Sequence, residues 1–115
     1  MDHGQQVERL VLDLVDALKD DWVSIPSMTT LAADVSGTWD RRTNRNLICE
    51  ALLVLAGRDD VRVVDADMSH EFTSRGELAR HLDVQWPDTG EPIENEIGWL
   101  VERDFELRQP SGDPD

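Results

Sequence analysis

Residues 27–64, SMTTLAADVSGTWDRRTNRNLICEALLVLAGRDDVRVV, decide the fold. Leu31, Ala32 and Val35 share one helical face, Ser27 is placed to cap that helix, and Gly37 breaks it, so a short helix is predicted over 27–35. Leu47, Ile48, Ala51, Leu52 and Leu55 recur at helical spacing and predict a longer helix over 42–56 with Gly57 as its C-cap. Leu53 and Val54 widen its apolar surface beyond one packing face, which makes this helix central. Val61-Arg62-Val63-Val64 then reads as a strand.

Working outward, Val7, Leu10, Val11, Leu14 and Leu18 form one apolar stripe and predict a helix over 5–20. Trp22 to Ile25 is β-prone and Pro26 stops it. On the other side, Asp65 to Ser69 turns the strand and His70-Glu71-Phe72 returns, giving a hairpin over 61–72. Ser74 and Glu77 have capping-box spacing and open a helix to about Leu82. Trp86 to Pro92 reads as a loop, Ile93, Ile97, Leu100 and Val101 predict a last helix over 93–103, and Phe105-Glu106-Leu107 predicts a final strand. Gln109 to Asp115 has the composition of a disordered tail. Leu31, Val35, Leu47, Leu52, Leu78, Leu82, Ile97 and Leu100 are the expected core.

Part of the opening stretch returns. Ser27, Leu31, Ala32, Val35 and Trp39 are echoed by Ser74, Leu78, Ala79, Leu82 and Trp86 at a constant offset of 47 residues, and Ala51 to Val54 falls on Gly98 to Val101. Two copies are too few for a solenoid. A duplicated helix-turn-helix unit accounts for the echo; so does a chance likeness between two amphipathic helix pairs. The recurring Trp39 and Trp86 read as packing residues.

Composition narrows the function classes. The chain has 115 residues, one cysteine, and 25 Asp plus Glu against 11 Lys plus Arg, for a net charge of −14. A lone Cys49 excludes an internal disulfide and any cysteine-based zinc site, and a buried small hydrophobe is its simplest reading. Met1-Asp2-His3-Gly4 lacks the basic start of a signal peptide and no apolar run is long enough to span a membrane, so a cytoplasmic, non-membrane protein is expected. The Asp-heavy, Lys-poor composition resembles that of haloarchaeal proteins, whose high salt cuts the Debye length to ~3 Å at 1 M. The competing explanation is a functional acidic face. The acids are spread from Asp2 to Asp115, where a dedicated face would cluster them.

The predicted order of helix, short strand, helix, helix and hairpin resembles a winged helix-turn-helix domain. In that family the second and third helices form the helix-turn-helix and a hairpin forms the wing. Here 27–35 matches the second helix, 42–56 the recognition helix, and 61–72 the wing. The implied fold is mainly α with a small β-hairpin wing, an α+β class. It is built as residues 1–73 followed by a second, partial helix-turn-helix-like unit over 74–108 sharing the core, with 109–115 as tail. A different parse makes 42–56 the first helix of a winged unit in the C-terminal half, so the two units are fused or overlapping. A strand across 42–56 or 93–103 would sink the winged-helix reading.

The resemblance implies DNA binding, and the residues say where. Arg41, Arg42, Thr43, Asn44, Arg45 and Asn46 open the recognition helix, with Arg suited to guanine and Asn to adenine. Arg42 and Asn46 fall opposite the core stripe and Arg45 at its flank. Arg62 and Arg58 on the wing side are supporting phosphate contacts, with Asp59 and Asp60 beside them counting against it. The stretch at the 47-residue offset, 87–93, is acidic and would repel phosphate. The plainer alternative is that these arginines pair with Asp34, Asp40 or Glu50. The expectation is therefore a non-enzymatic DNA-binding regulator with no cofactor and no metal. The alternatives are a winged-helix adaptor for a protein partner or a homodimer, or an acidic inhibitor or immunity-type partner of a basic protein. His3, His70 and His81 have no metal-ligand spacing, His81 falls on a polar, solvated helix face, and Asp65 and Asp67 form an acidic turn without a ligand series. No phosphate-cradling loop or nucleophile motif is present.

Overall fold

The computed structural model describes residues 2–65, 68–86 and 99–106. The elements are α1 (His3–Leu18), β1 (Val23–Ser24), α2 (Ile25–Ser36), α3 (Arg41–Leu55), β2 (Val61–Val64), α4 (Arg75–Gln85) and β3 (Trp99–Glu102). The chain is thus mainly helical with a small antiparallel sheet, an α+β architecture.

α1 begins earlier than its apolar stripe because Asp2 and Gln5 close a capping box. Asp2 Oδ1 accepts from the Gln5 backbone N–H at 2.8 Å, and Gln5 Oε1 accepts from the Asp2 N–H at 3.0 Å. α2 also begins before the expected Ser27. Its N-cap is Ser24, and Pro26 falls in its first turn, where a missing N–H costs nothing. It ends at Gly37 in the left-handed conformation, φ 77°. Asp40 caps α3, and Leu47, Ile48, Cys49, Ala51, Leu52 and Leu55 are buried along it. α3 packs on α1, α2, α4 and β2 and is the central helix, but its widened surface is not what the packing uses: Leu53 is half-buried and Val54 exposed.

The sheet has the order β1-β3-β2, with β3 antiparallel to both neighbours. This corrects the helix expected across 93–103, which is strand over Trp99–Glu102, and 93–98 lies outside the described residues. A strand across 93–103 would sink the winged-helix reading, and among the described residues of that range 99–102 are strand. The physical reason is burial on both sides. Leu100 joins the main core with Leu10, Leu47 and Leu52, whereas Val101 packs on the opposite face with Val64, Met68 and Phe105. A strand covered on both faces shows a continuous apolar run, which periodicity cannot separate from a buried helix. β1 and β2 supply backbone partners on either edge, pairing Val23 and Val63 with Leu100.

The hairpin over 61–72 is reduced to a single bridge, Val64 with Glu71, with Phe72 N–H donating to the Val63 carbonyl at 2.9 Å. Its Asp65 carboxylate accepts from the backbone N–H of Ser69 at 2.9 Å and of His70 at 3.2 Å, which stabilises the turn; Asp67 lies outside the described residues. The expected strand at 105–107 is not formed at Phe105 and Glu106, and 107 lies outside the description; Phe105 instead sets its ring edge-on to Trp22 at 5.0 Å. Arg103 closes this end, donating from Nε to the Asp59 carbonyl at 2.7 Å and from Nη2 to the carbonyls of Arg58 and Val61 at 3.0 and 3.2 Å.

α4 opens at Ser74 as expected, with Ser74 Oγ accepting from the Glu77 N–H at 3.3 Å. Glu77's own carboxylate is engaged by His70 Nε2 at 3.1 Å. The helix runs on to Gln85, and its Leu78 and Leu82, with Trp86, enter the main core. Of the expected core, Leu47, Leu52, Leu78, Leu82 and Leu100 are buried, Leu31 and Val35 are half-buried, and Ile97 lies outside the described residues. Both stretches of the 47-residue echo are helical in α2 and α4, but Ser27 lies inside α2 whereas Ser74 caps α4, and beyond these helices the echo breaks. Trp86 is 4% exposed but Trp39 is 71% exposed, and Leu52 to Leu55 is helix where Trp99 to Glu102 is strand. Trp39 is therefore not a core packing residue: it sits on the turn between α2 and α3 and lines an open groove beside α2. His81 is likewise not on a fully solvated face: it is half-buried, its ring 4.6 Å from that of Phe72.

Candidate nucleic-acid interface

The turn between α2 and α3 is held from inside by Asn44, the one buried polar residue among those described, 2% exposed. Its Oδ1 accepts from Ser36 Oγ at 2.8 Å and its Nδ2 donates to the Thr38 carbonyl at 2.9 Å. Ser36 ends α2, Thr38 lies in the turn, and Asn44 belongs to the first turns of α3. One side chain thus ties three successive pieces of backbone together. Gly37 supplies the positive φ that the reversal needs, and a side chain there would be strained despite open space around it. At the start of α3, Asp40 Oδ2 accepts from the Thr43 N–H at 2.9 Å and from Thr43 Oγ1 at 2.7 Å. Those bonds, the hydroxyl first, with the nearby charge of Arg42 adding to them, hold the Asp40 carboxyl below the usual carboxylate range.

This frame sorts the candidate residues. Arg41, Arg42 and Thr43 are exposed at the N-terminal end of α3, and Asn46 is half-buried one turn after Arg42. Asn44 faces inward and is spent on the turn. Arg45 lies on the flank, its side chain 12% exposed, and reaches across to the end of α4. There Nε donates to the Trp86 carbonyl at 2.9 Å and Nη2 to Asp83 Oδ1 at 3.4 Å. Arg62 is half-buried and faces Glu71, with 3.6 Å between Nε and Oε1. Arg58 is held by both oxygens of Asp60 at 2.8 Å each, and this raises its pKa, the hydrogen bond leading. Arg58 and Arg62 are therefore engaged by carboxylates. Further along the outward face of α3 stands Glu50, in contact with His3 Nε2 at the start of α1.

Arg42 and Asn46 lie one turn apart on the side of α3 away from its buried stripe, and Arg41 and Thr43 are exposed in its first turn, whereas Asn44 is engaged by the turn, Arg45 by the end of α4 and Arg62 by Glu71. Sequence reasoning missed Trp39, which stands beside it one residue before the N-cap. Its signal was its place between the helix-breaking Gly37 and the capping Asp40, where no helix face exists to bury it. A groove behind it is lined by Leu31, Ala33, Asp34 and Thr38. Among the described residues no set of three or more His, Cys, Asp or Glu is placed to hold a metal ion, and no helix is long and apolar enough to cross a membrane. Cys49 is buried. No family model, curated protein or solved structure matches the chain.

Proposed function

We propose that the chain is a non-enzymatic DNA-binding regulator of winged-helix type that contacts DNA through the N-terminal end of α3. The observation that carries the proposal is the exposed set Arg41, Arg42 and Thr43, followed by Asn46, on a helix end fixed by the buried Asn44. A base-reading helix needs its first residues held in one orientation, because each ordered side chain at an interface otherwise costs conformational entropy. The strand at Trp99–Glu102 leaves one helix-turn-helix, α2 and α3, as the basis of the proposal; that single unit uses no helix in 93–103.

The acidity fits the high-salt reading, in which distant like charges are screened. Selection of duplexes from a random library, followed by titration over a salt series, tests the proposal. A falling log affinity with log salt and a selected motif support it. One observation favours a second reading, an adaptor for a protein partner: Trp39, 71% exposed, beside the two exposed arginines has the residue types of a protein-binding hot spot. Under that reading Trp39→Ala abolishes capture of a protein and leaves DNA titrations blank.

A further inference from the structure

We infer that Arg45 acts on the DNA contact indirectly, as the positioning residue that fixes the side-chain amide of Asn46 for reading an adenine edge; this rests on the reading of α3 as the DNA-contacting helix. The guanidinium is planar and its donors point in set directions. Two of its nitrogens are held from behind by the end of α4, Nε by the Trp86 carbonyl at 2.9 Å and Nη2 by Asp83 at 3.4 Å. Trp86 caps α4, so its carbonyl lies at the negative end of that helix and suits a cation. With those two fixed, the direction of Nη1 is set. It donates to Asn46 Oδ1 at 3.1 Å.

That bond determines what Asn46 can recognise. The terminal torsion of a free asparagine is broad, so its oxygen and nitrogen exchange places at little cost. Tied through Oδ1 to Arg45, the amide keeps one orientation, one remaining lone pair on the oxygen, and the two N–H donors of Nδ2. The major-groove edge of adenine presents one donor at N6 and one acceptor at N7, which asks for that acceptor-and-donor pair in a fixed order. α4, which carries none of the exposed candidate contacts, thereby takes part in specificity through the Trp86 carbonyl and Asp83.

The test uses the full chain and its selected duplex, with each base pair changed singly. Asn46→Ala is expected to lose discrimination at one A·T pair by ~5- to 150-fold, the amount a good bidentate side chain–base contact supplies. Arg45→Lys keeps the positive charge but not the planar set of donors, and is expected to lose discrimination at the same pair while preference at the other positions stays. A purely structural role for Arg45 would weaken all sequences alike. Arg45→Lys with discrimination intact, or Asn46→Ala with discrimination intact, overturns the inference and leaves the DNA reading standing. A wild-type chain that binds no duplex overturns both. Relaxation of the Asn46 side-chain NH2 in the DNA-free wild type tests the same point without a variant. An order parameter near that of rigid backbone, ~0.85, supports a held amide, and one below ~0.6 overturns it.

Discussion

Replacing Asn44 with Ala should be the most damaging small change on the α2–α3 turn. The substitution removes two hydrogen bonds, from Ser36 Oγ at 2.8 Å and to the Thr38 carbonyl at 2.9 Å. Each contributes a net ~0.5–1.5 kcal/mol, and a partner left buried and unpaired costs more. Thr38 is exposed and Ser36 half-buried, so water reaches the freed groups and the added penalty is small. The expected loss is about 2 kcal/mol in total, or a melting temperature lower by roughly 10 °C for a domain near this size. Urea unfolding followed by circular dichroism, run in molar KCl to screen surface charge, measures it. Ser36→Ala removes the bond to Asn44 Oδ1 and also the one that Ser36 Oγ accepts from the Thr38 N–H at 3.3 Å, so it should cost a comparable amount. An unfolding free energy for Asn44→Ala within ~0.5 kcal/mol of wild type would refute the view that this amide holds the turn.

Three further outcomes are expected. Molar KCl should raise the melting temperature by screening the self-repulsion of a net −14 chain, whereas a melting temperature independent of salt argues for a discrete acidic binding face. Because the folded Asp40 carboxyl is held below its ordinary value, its contribution is present at neutral pH and is lost as pH falls through the folded value. The stability gap between wild type and Asp40→Asn should therefore hold steady from neutral pH down to about pH 5 and close on further acidification; a gap that widens in acid contradicts this. Leu100→Ala should cost ~2–5 kcal/mol, since Leu100 is fully buried in the central strand, and a near-neutral result by chemical denaturation would mean that β3 is not part of the core.

The helical frame was legible because its signals are local. The Val7–Leu18 stripe, the apolar width of 42–56, Gly37 and Ser74 each act within a turn or two of their own position. β3 was not, because Leu100 and Val101 are buried on opposite faces by elements far away in the chain, and nothing in the segment itself separates that from a helix. Within the site, the outward placement of Arg42 and Asn46 and the flank position of Arg45 followed from helical spacing. The inward turn of Asn44 did not, because its partners Ser36 and Thr38 come within reach only after the chain reverses at Gly37. The engagement of Arg45 depends on where α4 ends, and α4 extends past Leu82 to Gln85. The exposure of Trp39 was hidden by its echo at Trp86, which invited one explanation for two different environments.

Whether the N-terminal end of α3 contacts DNA is tested most directly at Arg42, which is exposed on that end. Wild type and Arg42→Ala should be titrated by fluorescence anisotropy with the selected duplex and with an unrelated one, from 50 mM salt upward. The variant should bind the selected duplex ~1–3 kcal/mol more weakly with relaxed preference at one position if Arg42 reads a base, or lose affinity for both duplexes alike with a shallower salt slope if it contacts phosphate. Equal binding by wild type and variant, or no binding by wild type at any salt, would contradict a DNA contact there.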